Sequence, residues 1–213
     1  MLYYPKIPGS RHCPDGRCIA FEKYDGTNLH WDWHRDFGWH TFGTRRDEFA
    51  LVPIGVEQFA KVHAHLREAA DIFQCGLAAE IDGVLRTNAR YEAVESATVF
   101  TEFVGPNSFA GLHKSEDPKQ LILFDVQAEP FGIVGPEQFV ADFGHLQIAR
   151  VVYRGKLTGK FCDDVRQGKY GVNEGVVCKG GEGSGLWMVK IKTNAYLEKL
   201  KKAFAENWED YWE

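Results

Sequence analysis

The sequence predicts an α+β fold, with many strands joined by loops and few helices. Short apolar or alternating runs recur along the chain, near 18–24, 28–34, 38–43, 81–86, 97–104, 121–126, 151–153, 174–179 and 186–192, and each has strand length and strand composition. Only about three segments, 56–74, 136–144 and 195–209, have helical character. The two kinds of segment do not alternate regularly, which argues against a doubly wound parallel sheet.

The elements follow in order. Cys18-Ile19-Ala20-Phe21 favours a strand, Asp25-Gly26 reads as a tight turn, and Asn28 to Trp33 reads as the return strand of a hairpin. Trp31 and Trp33 alternate and so share one strand face, most simply packed into a core, with base stacking as the other use of such rings. In 56–74, Phe59, Val62, Leu66, Ala69, Ala70 and Phe73 recur near a 3.6-residue period, and Gly76 is placed to end the helix. Residues 105–120, rich in Gly, Pro, Asn, Ser and Lys, read as a long loop before the apolar strand Leu121–Val126. Residues 156–167 read as loop or short helix. Gly180 to Gly185, sequence GGEGSG, links the last two strands as a flexible hairpin loop. Leu197, Leu200, Ala203, Phe204 and Trp208 give 195–209 a partly amphipathic face.

The 213 residues suit one domain with a sizeable core. No apolar run is long enough to span a bilayer, and MLYYPKIPGS does not read as a secretory signal, so no membrane partner and a cytoplasmic location are expected. A formal charge of −5 argues against a basic protein that coats nucleic acid but leaves room for a local basic groove. Five cysteines do not suggest a disulfide framework. His12, Cys13 and Cys18 have poor spacing for zinc and no matching cysteine pair follows, while Cys75, Cys162 and Cys178 read as small, partly buried side chains.

The polar residues are most informative on the last strands. Lys190 and Lys192 are two apart, so they share one face while Val189 and Ile191 take the other. Parallel ammonium groups repel unless an anion stands before them, so they line a groove for a polyphosphate or form a solvated face. Glu174 and Lys179 on the preceding strand, and Glu102 in Thr101-Glu102-Phe103-Val104, could join them. Carboxylates can hold magnesium and lysines can neutralise phosphate. No GxxxxGK[ST] loop is present, and GGEGSG lacks the required lysine and hydroxyl. Lys23, just before the Asp25-Gly26 turn, is either a solvated hairpin lysine or a reactive group held at a strand end.

In this order the pieces closely resemble the covalent nucleotidyltransferase superfamily of ATP-dependent RNA ligases, DNA ligases and capping enzymes. Lys23-Tyr24-Asp25-Gly26 resembles the KxDG nucleophile element, and its extension Glu22 to Asn28 is more like the RNA ligase 2 branch. Gly43-Thr44-Arg45-Arg46, Glu102-Phe103-Val104-Gly105, Leu121–Val126, Glu174–Lys179 (EGxVxK) and Lys190-Ile191-Lys192 (KxK) resemble the elements that follow. The resemblance spans about 18 to 193. It implies the nucleotidyltransferase (ATP-grasp-like ligase adenylation) fold, antiparallel sheets flanked by helices, in a single catalytic domain over 1–213, without a separate C-terminal OB or large helical domain.

The resemblance further implies an ATP-dependent RNA ligase that uses Mg²⁺, with Mn²⁺ as a substitute. Lys23, Lys190 and Lys192 would be catalytic. Glu22, Lys23, Arg45, Glu102, Phe124, Glu174, Lys190 and Lys192 would bind the nucleotide: Glu102 at ribose, Phe124 on adenine and Arg45 at phosphate or ribose. Glu174 would serve the metal shell. Asp25 would shape its turn. The expected partner is RNA or a nicked nucleic-acid duplex, in an RNA-repair role, and a helper protein could supply a missing C-terminal domain. A minimal ATP-dependent DNA ligase and a noncatalytic nucleic-acid-binding module are the competing expectations. The sequence leaves the oligomeric state open.

Overall fold

The computed structural model describes residues 3–12, 14 and 16–206. Within them the chain forms two compact units. The first comprises 3–5, Gly26–Val134 and Gln138–Ile148; the second comprises Lys6–Asp25, Gly135–Glu137 and 149–206.

The first unit is built on a six-stranded sheet. Its strands are β2 (Thr27–His34), β3 (Gly38–Thr44), β4 (Phe49–Ala50), β5 (Ser96–Val104), β6 (Gln120–Ala128) and β7 (Gly132–Ile133), in the order β4-β3-β2-β5-β6-β7. All pairings are antiparallel. On one face Leu29, Trp31 and Trp33 of β2 are fully buried, opposite Thr101, Val99 and Ala97 of β5. Helices α1 (Pro53–Val62), α2 (Ala69–Cys75) and α3 (Leu77–Thr87) supply the partner side chains. Trp31 stacks on Phe73 with ring centroids 3.9 Å apart, and Phe42 packs on Phe59 at 4.8 Å. The indole N–H groups are satisfied inside this core: Trp31 donates to the Thr101 hydroxyl at 2.9 Å and Trp33 to Asp82 at 2.7 Å. These rings are therefore core, as their alternation suggested, and are closed to base stacking.

The second unit has a four-stranded antiparallel sheet of order β10-β9-β1-β8, from β1 (Arg17–Lys23), β8 (Val151–Lys156), β9 (Gly175–Gly180) and β10 (Trp187–Lys192). Cys18, Ala20, Val176, Cys178, Val189 and Ile191 form its apolar face, covered by Phe161, Cys162 and Val165 of α5 (Gly159–Arg166). Thr158 caps that helix by accepting from the Phe161 N–H at 3.1 Å. Helix α4 (Pro136–Phe143) precedes β8, and α6 (Asn194–Phe204) follows β10.

Several expectations are corrected. Residues 81–86 are helical, within α3, because Leu77, Ala78, Ile81 and Leu85 bury one stripe at helical spacing. The helix expected over 56–74 is two, α1 and α2, separated by a 3₁₀ turn at Ala64–Leu66. Six α-helices occur among the described residues rather than about three. Cys75, at the end of α2, is exposed, whereas Cys162 and Cys178 are buried. The side chain of His12, residue Cys13 and the last part of the expected 195–209 helix, with Trp208, lie outside the described residues.

Gly26 is required by contact rather than by its backbone angles. A Cβ there would stand 2.2 Å from the Phe103 carbonyl oxygen and 2.7 Å from Val104 Cγ1, on the strand that β2 pairs with. Gly26→Ala is expected to force β2 and β5 apart locally and to cost about 1–3 kcal/mol, measured as a drop in the urea midpoint without loss of the native circular dichroism spectrum.

Candidate active site

The antiparallel register of the second unit assembles the candidate site. Directly opposed residues in a sheet lie on the same face. Lys23 of β1 and Lys192 of β10 both oppose Gly175 of β9, so the three form one row. Phe21, Val177 and Lys190 form the next row, and Ile19, Lys179 and Met188 the third. Lys23, Lys179, Lys190 and Lys192 thus share one sheet face, while Val189 and Ile191 are buried in the core on the other, as the two-residue spacing of the lysines predicted.

Glu174 stands at the head of β9 and joins the first row. Lys23 Nζ donates to its Oε2 at 2.9 Å, and Lys192 Nζ lies 3.5 Å from Oε1. The Glu174 side chain is 3% exposed, that of Lys192 7% and that of Lys23 27%, so Lys23 keeps the most access of the three. Burial pushes the Lys192 ammonium below the ordinary lysine range; Glu174 opposes that shift and Lys23 adds to it. Gly175 leaves the space between the lysines open. A Cβ there would collide with the Ile191 carbonyl oxygen at 2.0 Å.

The backbone around Glu174 is fixed by the start of α6. Thr193 N–H donates to the Glu174 carbonyl at 2.8 Å, and its hydroxyl donates to the Asn173 carbonyl at 2.9 Å. The same hydroxyl accepts from the Tyr196 N–H at 3.1 Å as the helix cap. Tyr196 then donates its phenolic O–H to Asp25 at 2.8 Å, and its ring lies 5.3 Å from Lys192 Nζ. Sequence reasoning gave α6 no part in the site and Asp25 only a turn. The missed signal is Thr193, a capping residue directly after the KxK strand.

Lys179 is 3% exposed, with its ammonium 5.1 Å from the Phe21 ring centroid, so it does not point to solvent. Glu22 is not brought into the row. It opposes Val176 on the other face and accepts from Arg150 at 2.8 Å.

The remaining predicted residues belong to the first unit. Glu102 accepts from the Gly26 N–H at 3.1 Å and opposes Asn28 in the β2–β5 ladder. Asn28 Oδ1 is buried and has no hydrogen-bond partner. Phe124 is half-buried and meets the Tyr4 ring edge-on at 5.2 Å, while the Tyr4 hydroxyl bonds Asp125. Arg45 donates through Nε and Nη2 to the Tyr4 carbonyl and through Nη2 to that of Pro5 at 2.8 Å, so much of its fork holds the N-terminal segment.

The buried charge of Lys192 has a testable sign. Its folded-state pKa is depressed, so the cost of charging it is fully present at neutral pH. That cost is relieved as pH rises from the depressed value towards about 10.4, where the unfolded lysine also loses its proton. The stability of the wild type relative to Lys192→Met should therefore increase between pH 7 and 10, measured as the difference in unfolding free energy.

No family model matches the chain, and no curated protein does. Solved structures do match. An RNA ligase of Naegleria gruberi with PPi superposes with a TM-score of 0.53 at 16% identity, over 87% of this chain and 52% of that one. An archaeal ATP-dependent RNA ligase gives 0.53 at 18% identity, over 97% of this chain and 52% of that one. A mutant Naegleria ligase with AMP and Mn gives 0.52 at 16% identity, over 86% and 51%. The chain spans about half the length of these proteins. At such identity the likeness is one of fold: helices and antiparallel sheets in the nucleotidyltransferase arrangement of the ATP-dependent RNA ligases.

Proposed function

We propose that the chain carries the adenylyltransferase chemistry of an ATP-dependent RNA ligase, with Lys23 as the residue that takes AMP. The observation that carries this reading is the row Lys23–Gly175–Lys192 closed by Glu174. It holds one partly accessible amine beside a buried carboxylate and a second, more deeply buried cation.

Reaction at phosphorus requires Lys23 as a free amine. Glu174 Oε2, already within hydrogen-bond distance, is placed to receive the ammonium proton. The Lys23 Nζ–Pα bond then forms as the bond from Pα to the bridging oxygen of pyrophosphate breaks, and pyrophosphate carries away the electron pair. Lys192 and Lys190 neutralise charge on the phosphate oxygens as it grows. In the second step AMP passes to a 5′-phosphate, breaking the N–P bond and returning the Lys23 amine. In the third a 3′-hydroxyl attacks that 5′-phosphate and AMP leaves. RNA, presented at a nicked duplex, is the proposed substrate.

Both oxygens of Glu174 face ammonium groups, so the carboxylate fits a divalent ion through water rather than by direct ligation. A Mg²⁺ or Mn²⁺ ion bound with the triphosphate would supply further positive charge at its oxygens. On the first unit, Glu102 is assigned to the ribose hydroxyls and Phe124 to the adenine face. Arg45 is assigned a phosphate or ribose contact through the remainder of its fork.

Incubation with α-labelled ATP and Mg²⁺ or Mn²⁺ should leave one AMP on the protein after denaturation. Lys23→Ala should abolish it, and Lys192→Ala should lower its rate by at least about a hundredfold. Transfer and sealing are read on nicks with RNA or DNA on either side of the break. An absent adduct would defeat the enzyme reading; an adduct that seals only DNA 3′-hydroxyl ends would reassign the chain to DNA ligation.

A further inference from the structure

The first unit carries a second polar cluster that the adenylylation chemistry does not use. His30 and Asp32 are two apart on β2 and so share the face opposite Trp31 and Trp33. Glu48, just before β4, reaches the same place. One ligand-type atom from each of the three lies within 4.8 Å of the others, and His30 Nε2 is 3.8 Å from Asp32 Oδ2.

The imidazole is set up as a donor of an electron pair. His30 is 0% exposed, and its Nδ1 lies 2.9 Å from the Thr44 carbonyl. A carbonyl only accepts, so Nδ1 carries the proton and Nε2 presents its lone pair. That Nε2 is buried without a hydrogen-bond partner and lies 3.8 Å from Asp32 Oδ2. Three electron-rich groups turned towards one point repel each other unless a positive charge lies among them.

The carboxylates are held from behind as metal ligands are. Asp32 accepts from the Thr98 hydroxyl at 2.7 Å and from the Thr41 hydroxyl at 2.8 Å. Glu48 accepts from the Tyr3 hydroxyl at 2.7 Å through Oε2, and the Tyr3 ring stacks on the His30 imidazole at 3.8 Å. These contacts orient the donors and leave each with lone pairs for a ligand. Glu48 is exposed, giving an ion a path from solvent.

We propose that His30 Nε2, Asp32 and Glu48 bind a first-row divalent transition-metal ion, with water completing the coordination. One imidazole nitrogen with two carboxylates suits Zn²⁺ or Co²⁺ better than Mg²⁺ or Ca²⁺, which prefer oxygen alone. The ion ties β2 to the start of β4 and, through Tyr3 and Glu48, to the N-terminal segment. Its role is structural, and it is independent of Lys23.

The test uses the full chain, stripped of metal with a chelator and titrated with Zn²⁺ and Co²⁺ by calorimetry. One saturable site is expected, with a rise in melting temperature on Zn²⁺ addition. Asp32→Asn and the surface change Glu48→Gln should each weaken binding at least about tenfold, while Lys23→Ala and Glu174→Gln leave it unchanged. Glu48→Gln keeps the test valid if Asp32→Asn fails to fold. Nitrogen NMR of the His30 ring should show Nε2 without a proton and shifted by Zn²⁺. The proposal is overturned by absence of saturable binding, by binding that both ligand variants leave intact, or by a His30 ring protonated on both nitrogens at neutral pH.

Discussion

Burying Glu174 against two lysines is the interaction on which the second unit's polar face depends. Lys23 and Lys192 flank a glycine in one sheet row, so no side chain separates their ammonium groups. At low effective dielectric their repulsion would be costly, and a solvated surface would disperse it. Here the carboxylate contacts both, at 2.9 and 3.5 Å. The pair and its anion still sum to one positive charge when all are ionised, before Lys179 and Lys190 on the same face are added. Buried ion pairs of this kind contribute little net stability, since desolvation offsets attraction.

The rest of the second unit keeps that carboxylate in place. Its backbone carbonyl is held by the Thr193 amide, the Thr193 hydroxyl caps α6, and Tyr196 in the first turn of that helix ties back to Asp25 beyond the end of β1. On the opposite sheet face, α5 seals Val176, Cys178, Val189 and Ile191. A strand clamped on its apolar side offers its polar side chains with little rotameric freedom, which is what close placement of charged groups requires.

Much of this was legible because strands impose a period of two. The division of Lys190 and Lys192 from Val189 and Ile191, and the burial of Trp31 and Trp33, follow from alternation alone. What failed to read was what alternation does not encode. The segment 81–86 has a strand's composition, but its burial depends on Leu77 and Ala78 upstream and on the core they meet. Glu22 sits beside Lys23 in sequence and for that reason faces away from it. Arg45 has the fork a phosphate would use, yet its partners are the Tyr4 and Pro5 carbonyls, some forty residues away and invisible to any local pattern. The His30, Asp32 and Glu48 cluster combines a period-two pair with a residue brought in by the β3–β4 connection, so only its first half could be seen in the chain.

Glycine content is also a poor guide to where the charged side chains of the second unit gather. The GGEGSG segment is the most glycine-rich stretch, and it forms a short 3₁₀ turn between β9 and β10. The glycine that matters to the lysine row is Gly175, set between Glu174 and Val176. Its importance lies in what it leaves open: a side chain there would strike the Ile191 carbonyl in the neighbouring strand, in the same row as Lys23 and Lys192. Gly26 plays the corresponding part against the Phe103 carbonyl in the first unit. In both cases a missing Cβ lets the backbone of one strand approach another closely. Charged groups at the strand ends are thereby held by the ladder itself rather than by a flexible loop.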